Sequence, residues 1–154
     1  MPIGRVCVRE VLVAPKSTTV QEAARIMRQH HVGDLVVVDT VDGRKIPAGI
    51  VTDRDIVISV VATKLDPGVF TVGDLVTTEL ATVREDQGIF ETIQEMRVRG
   101  VRRMPVVDGD GALVGIVAVD DLIQLLGEEL HELSRLISRE QVHEARNRDR
   151  KSVV

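Results

Sequence analysis

Thr52 and Asp55 put a hydroxyl and a carboxylate three residues apart at the end of an apolar run, Gly49-Ile50-Val51-Thr52-Asp53-Arg54-Asp55-Ile56. The run reads as a buried strand, and the apolar segment Ile56 to Ala62 that follows reads as a helix. Such a junction exposes free backbone N–H groups and sets two polar side chains at the rim of an apolar sheet, where a polar ligand can be held. The same residues have a local reading too, in which Asp55 is an acid that suits the helix dipole. Sixty-six positions later the pattern returns as Gly115-Ile116-Val117-Ala118-Val119-Asp120-Asp121-Leu122. Asp121 keeps the carboxylate there, and Ala118 stands where the hydroxyl was.

The elements that must position these residues also occur twice. Residues 5 to 12 suit a short helix or turn, and Val11 to Ala14 an extended piece stopped by Pro15. Thr18 with Gln21, or Thr19 with Glu22, forms a capping box for a helix over 19–31, its apolar stripe being Val20, Ala23, Ala24, Met27 and His31. Leu35 to Val38 is a β-branched strand, Asp42-Gly43 a turn, Ile46 to Val51 the returning strand, and Asp53 to Ala62 the closing helix. The second unit repeats the order: Ala81 to Val83 extended, a helix capped by Asp86 and carrying Ile89, Ile93 and Met96, the strands at Arg103 to Val107 and Leu113 to Val117, and a helix from Asp120 to Leu126. Met27 aligns with Met96 at an offset of 69, which falls to 66 after a first hairpin loop that is three residues longer. A length change confined to a surface turn is what an internal duplication shows.

Residues 122 to about 146 predict a long terminal helix, with Leu126, Leu130, Leu133 and Ile137 at coiled-coil spacing over about two heptads. That face suits either a coiled-coil partner or its own domain, and the basic, polar chain beyond Arg146 reads as frayed. The segments predicted are a first repeat over 5–65, a second over 66–126, and a terminal helix with frayed tail over 127–154.

Composition narrows the function classes. Two Phe, no Trp and no Tyr largely exclude base stacking on aromatic platforms, and a net charge of −4 gives no general footprint for nucleic acid or an anionic membrane. The single Cys7 has no disulfide partner in its chain. No leader is read at Met1-Pro2-Ile3-Gly4 and no apolar run approaches spanning length, so a soluble cytoplasmic protein is expected. His30 and His31 fall at a helix end, where a cation suits the dipole, and His131 and His143 on a polar helix; no metal site is read. Gly109-x-Gly111 with Gly115 lies between two strands and reads as a hairpin, not a dinucleotide loop. No nucleophile–base pair or phosphate loop can be assembled, so no enzyme is expected.

Two βαββα units, each with a Gly-Ile-Val-x-x-x-Asp strand–helix junction (Gly-Ile-Val-Thr-x-x-Asp in the first) preceded by a Val-Val-Asp hairpin, resemble a tandem pair of cystathionine-β-synthase (CBS) domains, a Bateman module. The resemblance covers about residues 5 to 126, and Thr52-Asp53-Arg54-Asp55-Ile56 is similar to stand-alone bacterial members in particular. It implies an α/β fold of the α+β kind, with two sheets packed together about a pseudo-two-fold axis and a long C-terminal helix appended. It also implies a regulatory module that senses an adenine nucleotide or adenosyl compound (AMP, ADP, ATP or S-adenosylmethionine) in clefts that combine the junction of one repeat with the strand entrance of the other. In such a cleft the carboxylate accepts the ribose hydroxyls, apolar strand residues sandwich the adenine, and Arg and backbone N–H groups take phosphate.

Carried onto this chain, the first cleft joins Thr52 and Asp55 with Val101, Arg102, Arg103 and Met104, and the backbone near Thr82 and Val83 closes the adenine side. Arg103 is the phosphate residue of choice, while Arg102 is expected to be solvated. The second cleft joins Ala118 and Asp121 with Val32, Gly33, Asp34 and Leu35. Asp34 there replaces Arg103 and would repel phosphate, so the first cleft is expected to bind a nucleotide and the second to stay empty or take a neutral or cationic adenosyl compound. The resemblance further implies a homodimer, for which Ile56, Val57, Val60 and Ile123 are candidate interface positions. The alternative is a ligand-free dimeric scaffold that recruits a protein partner through its C-terminal helix.

Overall fold

A computed structural model describes residues 1–76 and 79–152. Met1–Ala118 form one compact unit and Val119–Val154 another. Within the first unit lie two three-stranded sheets with the same strand order.

The first sheet is built from β1 (Val13–Pro15), β2 (Asp34–Val41) and β3 (Arg44–Thr52), with α1 (Val20–His30) crossing from β1 to β2. Thr19 is the N-cap of α1, its hydroxyl accepting from the Glu22 N–H at 3.1 Å, so the second of the two capping assignments is the one formed. Val20, Ala23 and Met27 are the buried face. His31 is not part of it: the helix stops at His30, and His31 is an exposed left-handed cap at φ 54°. β1 runs parallel to β2, and β2 turns back into β3 through Asp42 and Gly43, both at positive φ, as a tight right-twisted hairpin requires. The register sets Asp34 opposite Thr52.

The second sheet contains β4 (Val83–Arg84), β5 (Arg103–Val107) and β6 (Leu113–Ala118). Along the chain between the two sheets come α2 (Asp53–Ile56), extended by a π-helical turn over Val57–Val61, and the short α3 (Val72–Leu75). The helix α4 (Ile89–Arg99) is capped by Gly88, not by Asp86; the Asp86 carboxylate is held instead by Arg84 at 3.1 Å. Asp108 shapes the hairpin by accepting from the N–H groups of Asp110 and Ala112 at 2.9 and 3.0 Å. Arg103 lies opposite Ala118, as Asp34 lies opposite Thr52.

Each repeat is completed by the lead-in of the other. Ile3 and Gly4 donate to the carbonyls of Gln87 and Glu85, whereas Val72 and Gly73 donate to Thr18 and Lys16. These four contacts are related by the same offset of 69. The glycines permit the approach: a Cβ on Gly4 would stand 2.9 Å from the Glu85 carbonyl oxygen, and one on Gly73 2.8 Å from that of Lys16. Val76 likewise covers Gly49, and Cys7 covers Gly115. Ile3 and Val72 are fully buried, Val72 within a core of Ala14, Leu35, Val37, Val51, Ile56 and Val60. Burial of each contributes about 1.5–3 kcal/mol, which ties each lead-in to its recipient sheet.

Ile56 and Val60 are therefore core residues and not interface residues. Val57, Ile58 and Val61 form the exposed face of that segment, and Ile123 is exposed as well. The second unit is the helix α5 (Val119–Ser152), about 51 Å long at 1.5 Å per residue. Leu126, Leu130, Leu133 and Ile137 are exposed along it. The helix continues past Arg146 to Ser152, and the last two positions, 153 and 154, lie outside the described residues.

Candidate functional site

Thr52 and Asp55 form a reciprocal capping box. The Thr52 hydroxyl accepts from the Asp55 N–H at 3.1 Å, and Asp55 Oδ2 accepts from the Thr52 N–H at 2.9 Å. Thr71 and Asp74 make the same pair of bonds at the start of α3. A Thr-x-x-Asp spacing is thus a helix-start device in both places, and only the surroundings can give one of them a second use. At Asp55, Oδ1 is left without a hydrogen bond among the described residues. The Asp53 N–H donates to the Gly33 carbonyl at 2.9 Å and fixes the junction to the α1–β2 loop.

Asp55 is half-buried and faces a cavity of about 570 Å³. The first repeat contributes Gly49, Ile50, Asp55 and Ser59 to its wall; Leu75, Val76, Glu79, Leu80 and Ala81 come from the lead-in to the second repeat; Arg99, Val101 and Arg103 come from the end of α4 and the start of β5. Ile50, Leu75, Val76, Leu80, Ala81 and Val101 make an aliphatic surface, and Asp55, Ser59, Glu79 and the two arginines supply the polar groups. Both guanidiniums are held from outside the wall. Arg99 Nε meets Glu95 Oε1 at 3.1 Å, and Arg103 Nε meets Asp34 Oδ2 at 2.7 Å.

The CBS domain family model matches residues 3–62 and 72–128. The chain belongs to the CBS-domain family. This CBS pair is 34% identical over 136 residues to the CBS domain-containing protein YhcV of Bacillus subtilis, covering 87% of this chain and 93% of that protein. It is 36% identical over 128 residues to hypoxic response protein 1 of Mycobacterium tuberculosis, covering 83% and 82% of the two chains. A Methanopyrus kandleri protein, MK0525, is 37% identical over 123 residues; the match spans 80% of this chain and 61% of that one. Among solved structures, Hypoxic Response Protein I with two coordinated zinc ions superimposes with a TM-score of 0.70 at 33% identity, over 80% of this chain and 98% of that one. The CBS domain pair of protein MJ0100, in complex with 5′-methylthioadenosine and S-adenosyl-L-methionine, gives 0.70 at 25% identity over 84% and 98%.

Of the site residues predicted from the sequence, Asp55, Val101 and Arg103 line this cavity together. Thr52 is not among the lining residues and is joined to Asp55 by the two capping bonds. Met104 and Val83 are fully buried in the core, and Thr82 follows Ala81 of the wall. Arg102 is exposed. In the second set Leu35 is fully buried, Gly33 accepts from Asp53, Asp34 is engaged by Arg103, Ala118 ends β6, and Asp121 lies in the first turn of α5.

Sequence reading did not find Ser59, Arg99, Glu79 or the wall residues Leu75, Val76, Leu80 and Ala81. Ser59 had a signal, being four residues from Asp55 and so on its helix face. Val76 had one too, through its equivalence to Cys7 over the paired glycines. Arg99 and Glu79 had none. Among the described residues no group of three or more His, Cys, Asp or Glu is placed to hold a metal ion, and no helix is long and apolar enough to cross a membrane.

Proposed function

We propose that this CBS pair is a non-enzymatic regulatory module that binds an adenine nucleotide or adenosyl compound in the cavity between Asp55 and Arg103. The observation that carries this reading is the convergence of a carboxylate from one repeat and an arginine from the other on one largely aliphatic cavity, whose volume falls in the usual range of about 300–1,000 Å³ for small-ligand sites. Asp55 Oδ1 accepts the ribose hydroxyls, and Thr52, through its two bonds to Asp55, holds that carboxylate toward the sugar or a phosphate. Ile50, Val76, Ala81 and Val101 sandwich the base, with the backbone of Thr82 and Val83 behind it and Met104 anchoring the strand. Arg103 and Arg99 face any phosphate. The adenosyl ligands of the MJ0100 pair support the ligand class. Two copies pair through the helices beside the sheets, where Val57, Ile58 and Val61 are exposed.

Calorimetric titration with AMP, ADP, ATP and S-adenosylmethionine tests the proposal; binding by none of them overturns it. A second reading, a ligand-free scaffold, is favoured by the exposed Leu126, Leu130, Leu133 and Ile137 of α5. That reading requires the four titrations to be flat while a protein partner is lost on substituting those leucines.

A further inference from the structure

Resting on that reading of the cavity, we propose that Asp34 sets the charge preference of the site: by holding Arg103, it makes the cavity favour neutral or cationic adenosyl compounds over phosphorylated ones. Asp34 does not line the cavity; Arg103 does. Their bond is short, 2.7 Å between Arg103 Nε and Asp34 Oδ2, and the Asp34 side chain is only 23% exposed. An incoming phosphate must share Arg103 with that carboxylate or draw it away, while a nucleoside without phosphate leaves the pair intact. The second guanidinium is restrained in the same way by Glu95. Asp55 and Glu79 in the wall and Asp34 and Glu95 behind it are four carboxylates against the two guanidiniums of Arg99 and Arg103. A surplus of negative charge around a cavity disfavours an anionic ligand and favours a cation. Asp34 is thus a positioning residue, acting on a ligand through Arg103.

The test is a titration of the full chain with adenosine, AMP and S-adenosylmethionine, on wild type, Asp34→Asn, Asp34→Glu, Arg103→Gln and Asp34→Asn/Arg103→Gln. The expected result is adenosine and S-adenosylmethionine bound at least as tightly as AMP by the wild type. Asp34→Asn tightens AMP by about fivefold and leaves adenosine unmoved, the size expected for freeing one half-exposed ion pair. Asp34→Glu behaves as the wild type, and the gain disappears in the Arg103→Gln background. A wild type that favours AMP overturns the proposal. So does an AMP-to-adenosine ratio unchanged by Asp34→Asn, or an equal shift for both ligands, which marks a purely structural role. A gain that persists without Arg103 overturns the route through that residue. Absence of binding by all three ligands in every protein removes the adenosyl site itself, a result distinct from binding with an unmoved ratio.

Discussion

Asp34 and Arg103 occupy equivalent places in the two repeats, 69 positions apart at the first residues of β2 and β5, and they are bonded to each other at 2.7 Å. Two strand entrances that meet at a pseudo-two-fold axis bring like residues together; opposite charges at those positions turn a repulsion into an ion pair. The asymmetry seen between the two repeats is therefore also a contact between them. Arg44, at the start of β3, engages Asp108 and reaches Asp110 at 2.7 Å in the β5–β6 hairpin, so a second charged contact joins the repeats.

The two capping boxes allow the structural use of Thr-x-x-Asp to be separated from the ligand-binding use proposed for Thr52 and Asp55. Thr52→Ala and Thr71→Ala each remove one N-cap and are expected to cost about 1 kcal/mol in urea unfolding. Only Thr52→Ala is expected to weaken ligand affinity, measured by calorimetry on both variants.

The exchanged lead-ins make Gly73 a point of close backbone approach. Gly73→Ala sets a Cβ 2.8 Å from the Lys16 carbonyl, where backbone must shift, and is expected to destabilise by about 1–3 kcal/mol. Gly109→Ala, with nothing within 4 Å of the new atom, is expected to change stability by less than about 0.5 kcal/mol. Chemical denaturation of the two variants provides the comparison.

Asp108 gives the fold an acid-sensitive contact. The Ala112 N–H, then the Asp110 N–H and the Arg44 guanidinium, hold its carboxyl below the ordinary carboxylate value despite some burial. A depressed folded-state pKa contributes stability that is present above the unfolded value and is lost as the pH falls through the folded one. Melting temperature is therefore expected to fall between neutral pH and the acid side of the carboxylate range. The fall should be shallower in Asp108→Asn, which starts less stable at pH 7; parallel curves for the two proteins would contradict this.

Cys7 is half-buried over Gly115, and burial pushes its thiol pKa up from the ordinary value. Alkylation by a neutral-pH thiol reagent is expected to be slow in the native protein and fast in denaturant. Equal rates in the two conditions would contradict the placement of the N-terminal lead-in over β6.

The repeat was legible because its elements carry their own signals: β-branched runs, the Asp42-Gly43 turn and the shared Met, Asp and Gly positions need no tertiary information. The segment Ile56 to Ala62 was legible as a helix but not in its orientation. It is apolar nearly all round, so no periodicity marks Ile56 and Val60 as core and Val57, Ile58 and Val61 as surface. The cap of α4 was misread because Asp86 had a competing partner in Arg84. At the site, Asp55 and Arg103 were legible from the repeat, whereas the Asp34 bond that restrains Arg103 was not. It depends on how two sheets meet, which no local pattern encodes. Arg99 came from a helix end with no motif at all.

The most direct measurement is the affinity of the wild type and of Asp55→Ala for the four adenosyl candidates, with Asp74→Ala as the control that loses an equivalent capping carboxylate. At least one candidate should bind the wild type and Asp74→Ala alike. Asp55→Ala should bind it at least about tenfold more weakly, as expected for loss of charge-assisted hydrogen bonds to a ribose. No binding to the wild type, or equal affinity in Asp55→Ala, would contradict the assignment of this cavity.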